Sequence, residues 1–421
     1  MNICMLLDNE FTGDMRVENE VMSLTEMGHR VTVLCLNFGS SKQREEYHGA
    51  TIIRFPVNRK THKRRRGWTG NSPDFFVRWW CRKAGDYLMN HPTDAIHAHD
   101  LYMLPVAMKL KKDLNLDIKL VADLHENYPA ALENYSFTNR FPGNLLVRID
   151  RWRENEKKWL QDADNVITVI DEALDRYSNL GVSRDRLHLV PNYVSPENFL
   201  RESKAGQPHI DLPERHYHAC YIGGFDLHRG LETLFQALTI VKKVVPKYRL
   251  LLVGSGPNQD KLINLQHELG LDENIYFAGW QPSHTLAGFI EKSDACLVPH
   301  LKTEHTDHTI PHKLFHYMLL KKPVIVSNCA PLQRIVENAE CGFVFESENS
   351  EDVAEKLLAM AQMTSAERDR FGMHGHRAVQ KKYHWGVSEE GLREIYGIAS
   401  TNESDESVES DESGISQSGI P

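Results

Sequence analysis

Few cysteines, no long apolar run and no strong excess of either charge sign mark this chain of 421 residues. The seven cysteines are scattered, with no C-x-x-C pair and no even framework. They read as reduced thiols of a cytoplasmic protein, not as a disulfide scaffold. No window approaches the ~18 uninterrupted apolar residues of a membrane span. The opening MNICMLLDNE has no charged region leading into an apolar stretch, so no signal peptide is expected. Net charge is −9, but residues 401–421 hold six acids and no Lys or Arg, which leaves the remainder at −3. That balance argues against general polyanion binding, though not against a local basic patch.

What is present is core material. Hydrophobic residues make up 41% and aromatics 9%, too much for a disordered chain. At about 150 residues per domain the length suggests two or three domains. Short, near-continuous apolar runs recur at 2–7, 31–36, 51–55, 95–99, 118–125 and 165–170. A second set lies at 218–224, 249–256, 274–279, 295–300, 323–328 and 342–346. Runs that do not alternate predict strands buried on both faces, as in a parallel sheet. Helical periodicity separates many of them, as at 15–27, 230–244 and 351–361, which predicts right-handed βαβ units. The join is LHLVPNYVSPENF (187–199), rich in turn-forming residues. The chain therefore reads as an α/β protein of two Rossmann-like, doubly wound domains, 1–190 and 200–375, facing a cleft. Residues 376–398 read as helical, and the acidic, Ser/Gly-rich 400–421 as a disordered tail.

Ligands of open parallel sheets bind beyond the carboxyl ends of the strands, so the loops after these runs carry the chemistry. GGFDLHRGL follows 218–222. Gly223 and Gly224 permit close backbone approach, and Arg229 stands where a helix opens, an arrangement suited to phosphate. GSGP follows 249–253, where Gly254 and Gly256 form a close-approach turn. It lacks the third glycine and the later acid of a dinucleotide fingerprint. The segment HLKTEHTDHTIPHKLFHYM holds His305, His308, His312 and His316. These read either as metal ligands or as a polar loop lining a ligand. Against metal, Lys313 stands where H-E-x-x-H requires Glu. For a ligand loop, Lys313 near a helix start adds charge for phosphate.

The ordered set YIGGFDLHRGLETLFQAL, LLLVGSGP, YFAGW, IPHKLFHYMLLKKPVIVSN and CGFVF resembles the nucleotide-sugar-binding half of glycosyltransferase family 4. MRVENEVMSLTEMGHRVTVL, DAIHAHDLYMLPVA, VADLHENYP and VPNYV resemble its first half and hinge. The resemblance spans about 1–398 and implies the GT-B fold, with the Trp385–Tyr396 segment crossing back to the first domain. It implies a metal-independent, retaining transfer from a nucleotide-sugar to a glycan or lipid-linked acceptor, in cell-surface polysaccharide or glycolipid synthesis. The nucleotide-sugar is a substrate, and no metal or other cofactor is expected.

Residue by residue, the resemblance puts Arg229 on the donor diphosphate, with Lys313 substituting for a second cation that Gly224 replaces. Gly223, Gly224, Gly254, Gly256, Ile310 and Pro311 fall on the donor side. The family's E-x7-E signature aligns with His308 and His316, both histidine here; loss of the ribose-binding carboxylate at His316 is expected to weaken donor binding. His125 falls beside the reacting sugar. Gly13, Arg16, His99, Asp100 and Glu126 fall on the acceptor side. His97 is expected on the other face of its strand, as a structural group.

RKTHKRRRGW (59–68) has six Lys/Arg and no acid, and FFVRWWCRK (75–83) follows. This segment reads either as an exposed loop leading into a core helix or as an anchor for an anionic membrane surface. No nucleic-acid module surrounds it. Expected localisation is cytoplasmic, with peripheral attachment to the inner face of the plasma membrane if the anchor reading holds. Two other functions remain open at this point: a catalytically impaired GT-B binding or scaffold subunit, and a nucleotide-sugar 2-epimerase.

Overall fold

The computed structural model describes residues 1–39, 42–70, 73–134, 138, 143, 147–203 and 217–398. The expected disordered tail and part of the inter-domain connector lie outside the described residues. Among these residues the first sheet contains β1 (Asn2–Leu6), β2 (Arg30–Asn37), β3 (Arg44–Tyr47), β4 (Ala50–Pro56), β5 (Ala95–His99), β6 (Lys119–Leu124), β7 (Asn165–Thr168) and β8 (Leu187–Leu189). Their order is β3-β4-β2-β1-β5-β6-β7-β8, parallel except for the β3–β4 pair. The second sheet contains β9 (Tyr217–Ile222), β10 (Tyr248–Val253), β11 (Ile275–Gly279), β12 (Ala295–Val298), β13 (Val324–Ser327) and β14 (Gly342–Phe345). Its order is β11-β10-β9-β12-β13-β14, parallel throughout. The apolar runs become strands because helices cover both sheet faces and leave no wet side for alternation to mark.

Two strands escaped the sequence reading for the same reason in reverse. REEY (44–47) is an exposed edge with little to bury, and LHL (187–189) is three residues inside what reads as the join.

RKTHKRRRG is not a loop. Arg59–Gly67 is a helix whose start is capped by the Asn58 side chain, accepting from Thr61 N–H at 3.1 Å. One side of it is buried: the His62 ring bonds to Asp8 Oδ1, and Arg66 Nη1 donates to Asp8 Oδ2 at 3.1 Å. Trp80 Nε1 also donates to Asp8 Oδ1, at 3.1 Å. The second part of the reading stands: Phe75–Leu88 is a helix that buries Phe76 and Trp80 in the first-domain core.

The C-terminal region is broken where continuous helix was expected. Ser365–Lys381 is one helix and Trp385–Tyr396 another. Between them Tyr383 is buried and His384 pairs with Val194. The last helix buries Trp385, Leu392, Ile395 and Tyr396 in the first domain beside Ile3, Met5, Val17 and Val33. Trp385 Nε1 donates to Ser23 Oγ at 2.7 Å and Lys119 Nζ to the Ile395 carbonyl at 2.6 Å. Among the described residues, no helix is long and apolar enough to cross a membrane.

Candidate active site

The loops at the carboxyl ends of both sheets meet across a cavity of about 680 Å³. The first domain contributes the loop after β1, including Gly13 and Asp14, with Phe38 and Arg59. The second contributes Gly223, Gly224, Arg229 and the Pro311–Lys313 turn, with His316.

The cationic wall is built by backbone packing. Gly254 has φ +144°, and a Cβ there would lie 2.0 Å from the Gly223 carbonyl oxygen. Gly223 N–H donates to the Val253 carbonyl at 2.9 Å, and Tyr221 Oη to the Gly224 carbonyl at 2.7 Å. Gly254 and Gly256 therefore brace the Gly223–Phe225 turn from behind. Gly230 lies against Pro299, where a Cβ would be 1.9 Å from the carbonyl oxygen, so only glycine lets Arg229 end its turn there.

Arg229 Nη1 donates to His300 Nε2 at 2.9 Å. Burial, then Arg229, hold His300 well below the usual histidine range, so it is the neutral acceptor this bond requires. Lys313 Nζ is buried, has no hydrogen-bond partner among the described residues and sits 4.0 Å from the centre of the Tyr221 ring. Burial, then Arg229, push the ammonium well below its usual range. Two basic side chains thus face the cavity beside a glycine turn, and among the described residues neither is paired with a carboxylate.

His316 also faces the cavity. Its ring stacks on Phe199 at 4.3 Å, and Nε2 has no partner among the described residues. Burial, then His312, push it down to about 3, so it is neutral. His308 is elsewhere: Nδ1 donates to the Glu304 carbonyl at 2.7 Å, and the ring lines a separate hollow with Arg153 and Arg176. Ile310 is core, 2% exposed. Both depart from their donor-binding assignment, because the short Thr306–His308 turn swings the first away and the second packs inward. Pro311 lines the cavity as expected. The four histidines do not converge, since His305 turns toward His228 and Glu126.

On the first-domain side the structure assembles what the sequence left scattered. Arg16, expected to meet the acceptor, is 2% exposed at the start of helix Met15–Glu26. It ion-pairs with Asp123 at 2.7 Å, lies 2.9 Å from Glu20 Oε1, and donates to the Val190 carbonyl at 2.6 Å. His99 is fully buried, with Nδ1 donating to Asp123 Oδ2 at 3.0 Å. Neither residue can line an acceptor surface. His97 shares the face of His99, because residues two apart on a strand point the same way. The rings stack at 4.5 Å, and His97 Nδ1 is hydrogen-bonded to Tyr396 Oη at 2.9 Å. Glu20, His97, His99 and Asp123 approach within 4.8 Å of one another, a grouping that could hold a cation. Arg16 already supplies that charge.

His125 emerges from this cluster with its side chain 18% exposed. Nε2 donates to Asp123 Oδ2 at 2.8 Å, and Nδ1 lies 3.7 Å from Asp100 Oδ1. Burial opposes its charge, but Asp123 and Asp100 outweigh burial and raise the imidazolium to about 10. Asp100 accepts from Tyr102 Oη at 2.6 Å, and Glu126 faces His305 at 3.8 Å. Gly13 is at the cavity, but its N–H is taken by Glu18 Oε1 at 2.7 Å and does not await a ligand. Asp123 was missed: within VADLH it reads as one polar residue in a strand. His300 was missed too, lying just past a strand end with no motif around it.

Two Rossmann-like domains, a cationic glycine turn on the second and an inter-domain cavity define a glycosyltransferase of the GT-B type. A model described as "Glycosyltransferase Family 4" matches residues 15–198, and one described as "Glycosyl transferases group 1" matches 206–377. Between them they take in most of the chain, which belongs to glycosyltransferase family 4.

An uncharacterized glycosyltransferase of Haemophilus influenzae is 24% identical over 306 residues, 68% of this chain and 78% of that protein. A phosphatidyl-myo-inositol mannosyltransferase of Mycobacterium leprae is 26% identical over 216 residues, 51% of this chain and 54% of that protein. Among solved structures, sucrose-phosphate synthase of Thermosynechococcus elongatus superposes with a TM-score of 0.74 at 18% identity, covering 94% of this chain and 98% of that one. Anabaena HepE in complex with UDP-glucose gives 0.67 at 15% identity, covering 94% and 99%.

Proposed function

We propose that this protein transfers a sugar from a nucleoside diphosphate-sugar to a glycan or lipid-linked acceptor, with retention at the anomeric centre and without a metal ion. The observation that carries this reading is Lys313 Nζ, buried without a hydrogen-bond partner among the described residues, beside the Gly223–Gly224 turn and sharing the cavity with Arg229. A diphosphate is the anion this pair fits, and positive charge fixed where a leaving group gains negative charge stabilises the transition state. Arg229, oriented by His300, would take one phosphate oxygen or two; Lys313 would take another as a point charge. His316, a neutral acceptor and donor, would meet the ribose hydroxyls in place of a carboxylate. The leaving diphosphate would itself accept the acceptor's proton in a same-face displacement. HepE, a fold neighbour, holds UDP-glucose, which supports a nucleotide-sugar donor and makes UDP the first to try.

A membrane-bound acceptor is supported by the helix Arg59–Gly67. Its Arg59, Lys60, Lys63 and Arg64 are exposed, while His62 and Arg66 bind Asp8 in the loop leading to the cavity. That arrangement suits a peripheral, cytoplasmic-face enzyme of cell-surface glycan synthesis.

Thermal-shift screening against UDP, GDP, ADP and their sugar conjugates tests the donor site. NMR of the first-formed product tests retention, and an inverted centre would sink that part. The loss of carboxylate at His316 favours one other reading, a subunit that binds donor without turning it over. Binding with no transfer across a panel of acceptors would establish that instead.

A further inference from the structure

The cluster behind His125 has a use beyond filling the core. We infer that Asp123 is a positioning residue for His125, gripping the ring through Nε2–H at 2.8 Å while Nδ1 faces Asp100 Oδ1 at 3.7 Å. The inference deepens the transferase reading and rests on it for its consequence.

The geometry is specific. Asp123 Oδ2 accepts from His125 Nε2, His99 Nδ1 and Arg16 Nε, the last two at 3.0 and 3.3 Å. Asp123 Oδ1 accepts from Arg16 Nη2 at 2.7 Å. A carboxylate held by His99 and Arg16 from two other elements cannot swing, so neither can the ring it holds. The groups facing His125 are Asp123 on its own strand end, His97 and His99 within β5, Asp100 just after it, Arg16 and Glu20 from the helix after β1, and His312 from the second domain. Burial and His97 lower His99 to about 4, and burial and Arg16 lower His312 to about 4, so both are neutral at pH 7. Burial raises Glu20 to about 8 against the pull of Arg16, so it is largely protonated there. Asp123 and Asp100 are then the negative charges beside the ring, with Arg16 opposing them.

A ring held this way is a fixed cation and hydrogen-bond donor. A general base must be neutral at the working pH, and this imidazole is not. Its task is therefore to hold a sugar oxygen or stabilise developing negative charge, not to take the acceptor's proton.

The test is the titration of His125 by NMR on histidine-labelled full-length protein, assigned with H125Q and followed in wild type and D123N. The expected result is a wild-type transition near pH 10 that falls by at least about one unit in D123N, since a hydrogen-bonded counter-charge is worth about one to three units. The pH profile of kcat/KM should gain a basic limb at the same lowered value. A purely structural Asp123 would lower activity evenly across pH and leave the titration in place. A wild-type transition in the ordinary histidine range overturns the inference, whatever D123N does. So does a D123N transition that has not moved. If D123N does not fold, D100N removes the other counter-charge, and a shift smaller than about half a unit there counts against the electrostatic account. The titration needs no donor or acceptor, so failure to bind any nucleotide would defeat the transferase reading without touching this result.

Discussion

Replacing Lys313 with methionine should move stability and donor binding in opposite directions. In the free protein the ammonium is buried against the face of Tyr221 and the Gly223 backbone, with no hydrogen-bond partner among the described residues. A buried charge without a counter-ion is costly, and methionine fills similar space without that cost. Free K313M should therefore match or exceed wild type in thermal stability; a gain of about 1 kcal/mol would raise Tm by roughly 2–4 °C for domains of this size. With donor present the sign reverses. A charge-assisted bond to phosphate contributes about 1.5–3 kcal/mol, so K313M should bind about 10- to 150-fold more weakly. At a UDP concentration about 100 times the wild-type Kd, ligand stabilises wild type by about 2.7 kcal/mol; the variant would keep only about 1.4 to 0.3. Paired thermal scans with and without UDP read both effects. pH adds a second signature. The unfolded chain keeps this proton to higher pH than the folded one, so this group makes stability rise with pH between its folded and unfolded values. The bound diphosphate restores the proton, so donor affinity falls as pH rises through the free-protein value. A K313M protein less stable than wild type when free, with an unchanged UDP shift, would refute the reasoning.

Other perturbations separate the parts of the site. R16M leaves Asp123 without its cation in a site 2% exposed or less, and should cost about 3–5 kcal/mol in urea unfolding. A loss below about 1 kcal/mol would show that the histidines carry that charge instead. G254A puts a methyl group 2.0 Å from the Gly223 carbonyl oxygen. It should displace the Gly223–Gly224 turn and weaken UDP binding at least about tenfold, roughly 1.4 kcal/mol, which isothermal titration would measure. Neutralising Lys60, Lys63 and Arg64 while sparing Arg66 and the cavity-lining Arg59 should remove about 1 kcal/mol of anionic-vesicle affinity per residue. Co-sedimentation reads that loss, and UDP binding should be unchanged.

Much of the donor side was legible because its chemistry is local. Gly223, Gly224 and Arg229 fall within one strand–turn–helix unit, and Lys313 sits at a helix start, so spacing alone brings them to a strand end. The acceptor side was less legible because its partners are distant in the chain. Arg16 looks like a loop cation, yet its carboxylate Asp123 is 107 residues away. The His97 ring depends on Tyr396, 299 residues on. The basic run at 59–68 looks like a loop because its composition is polar; it becomes a helix because His62 and Arg66 find Asp8 beneath them.

The sequence by itself determined the alternation of strands and helices, the two blocks and the glycine turns, since these follow from periodicity and backbone conformation over a few residues. Only the tertiary structure decided which charges are buried, which are paired and which face the cavity. Those depend on carboxylates, imidazoles and carbonyls brought together from opposite ends of the chain, and a charge's state is set by its neighbours in space.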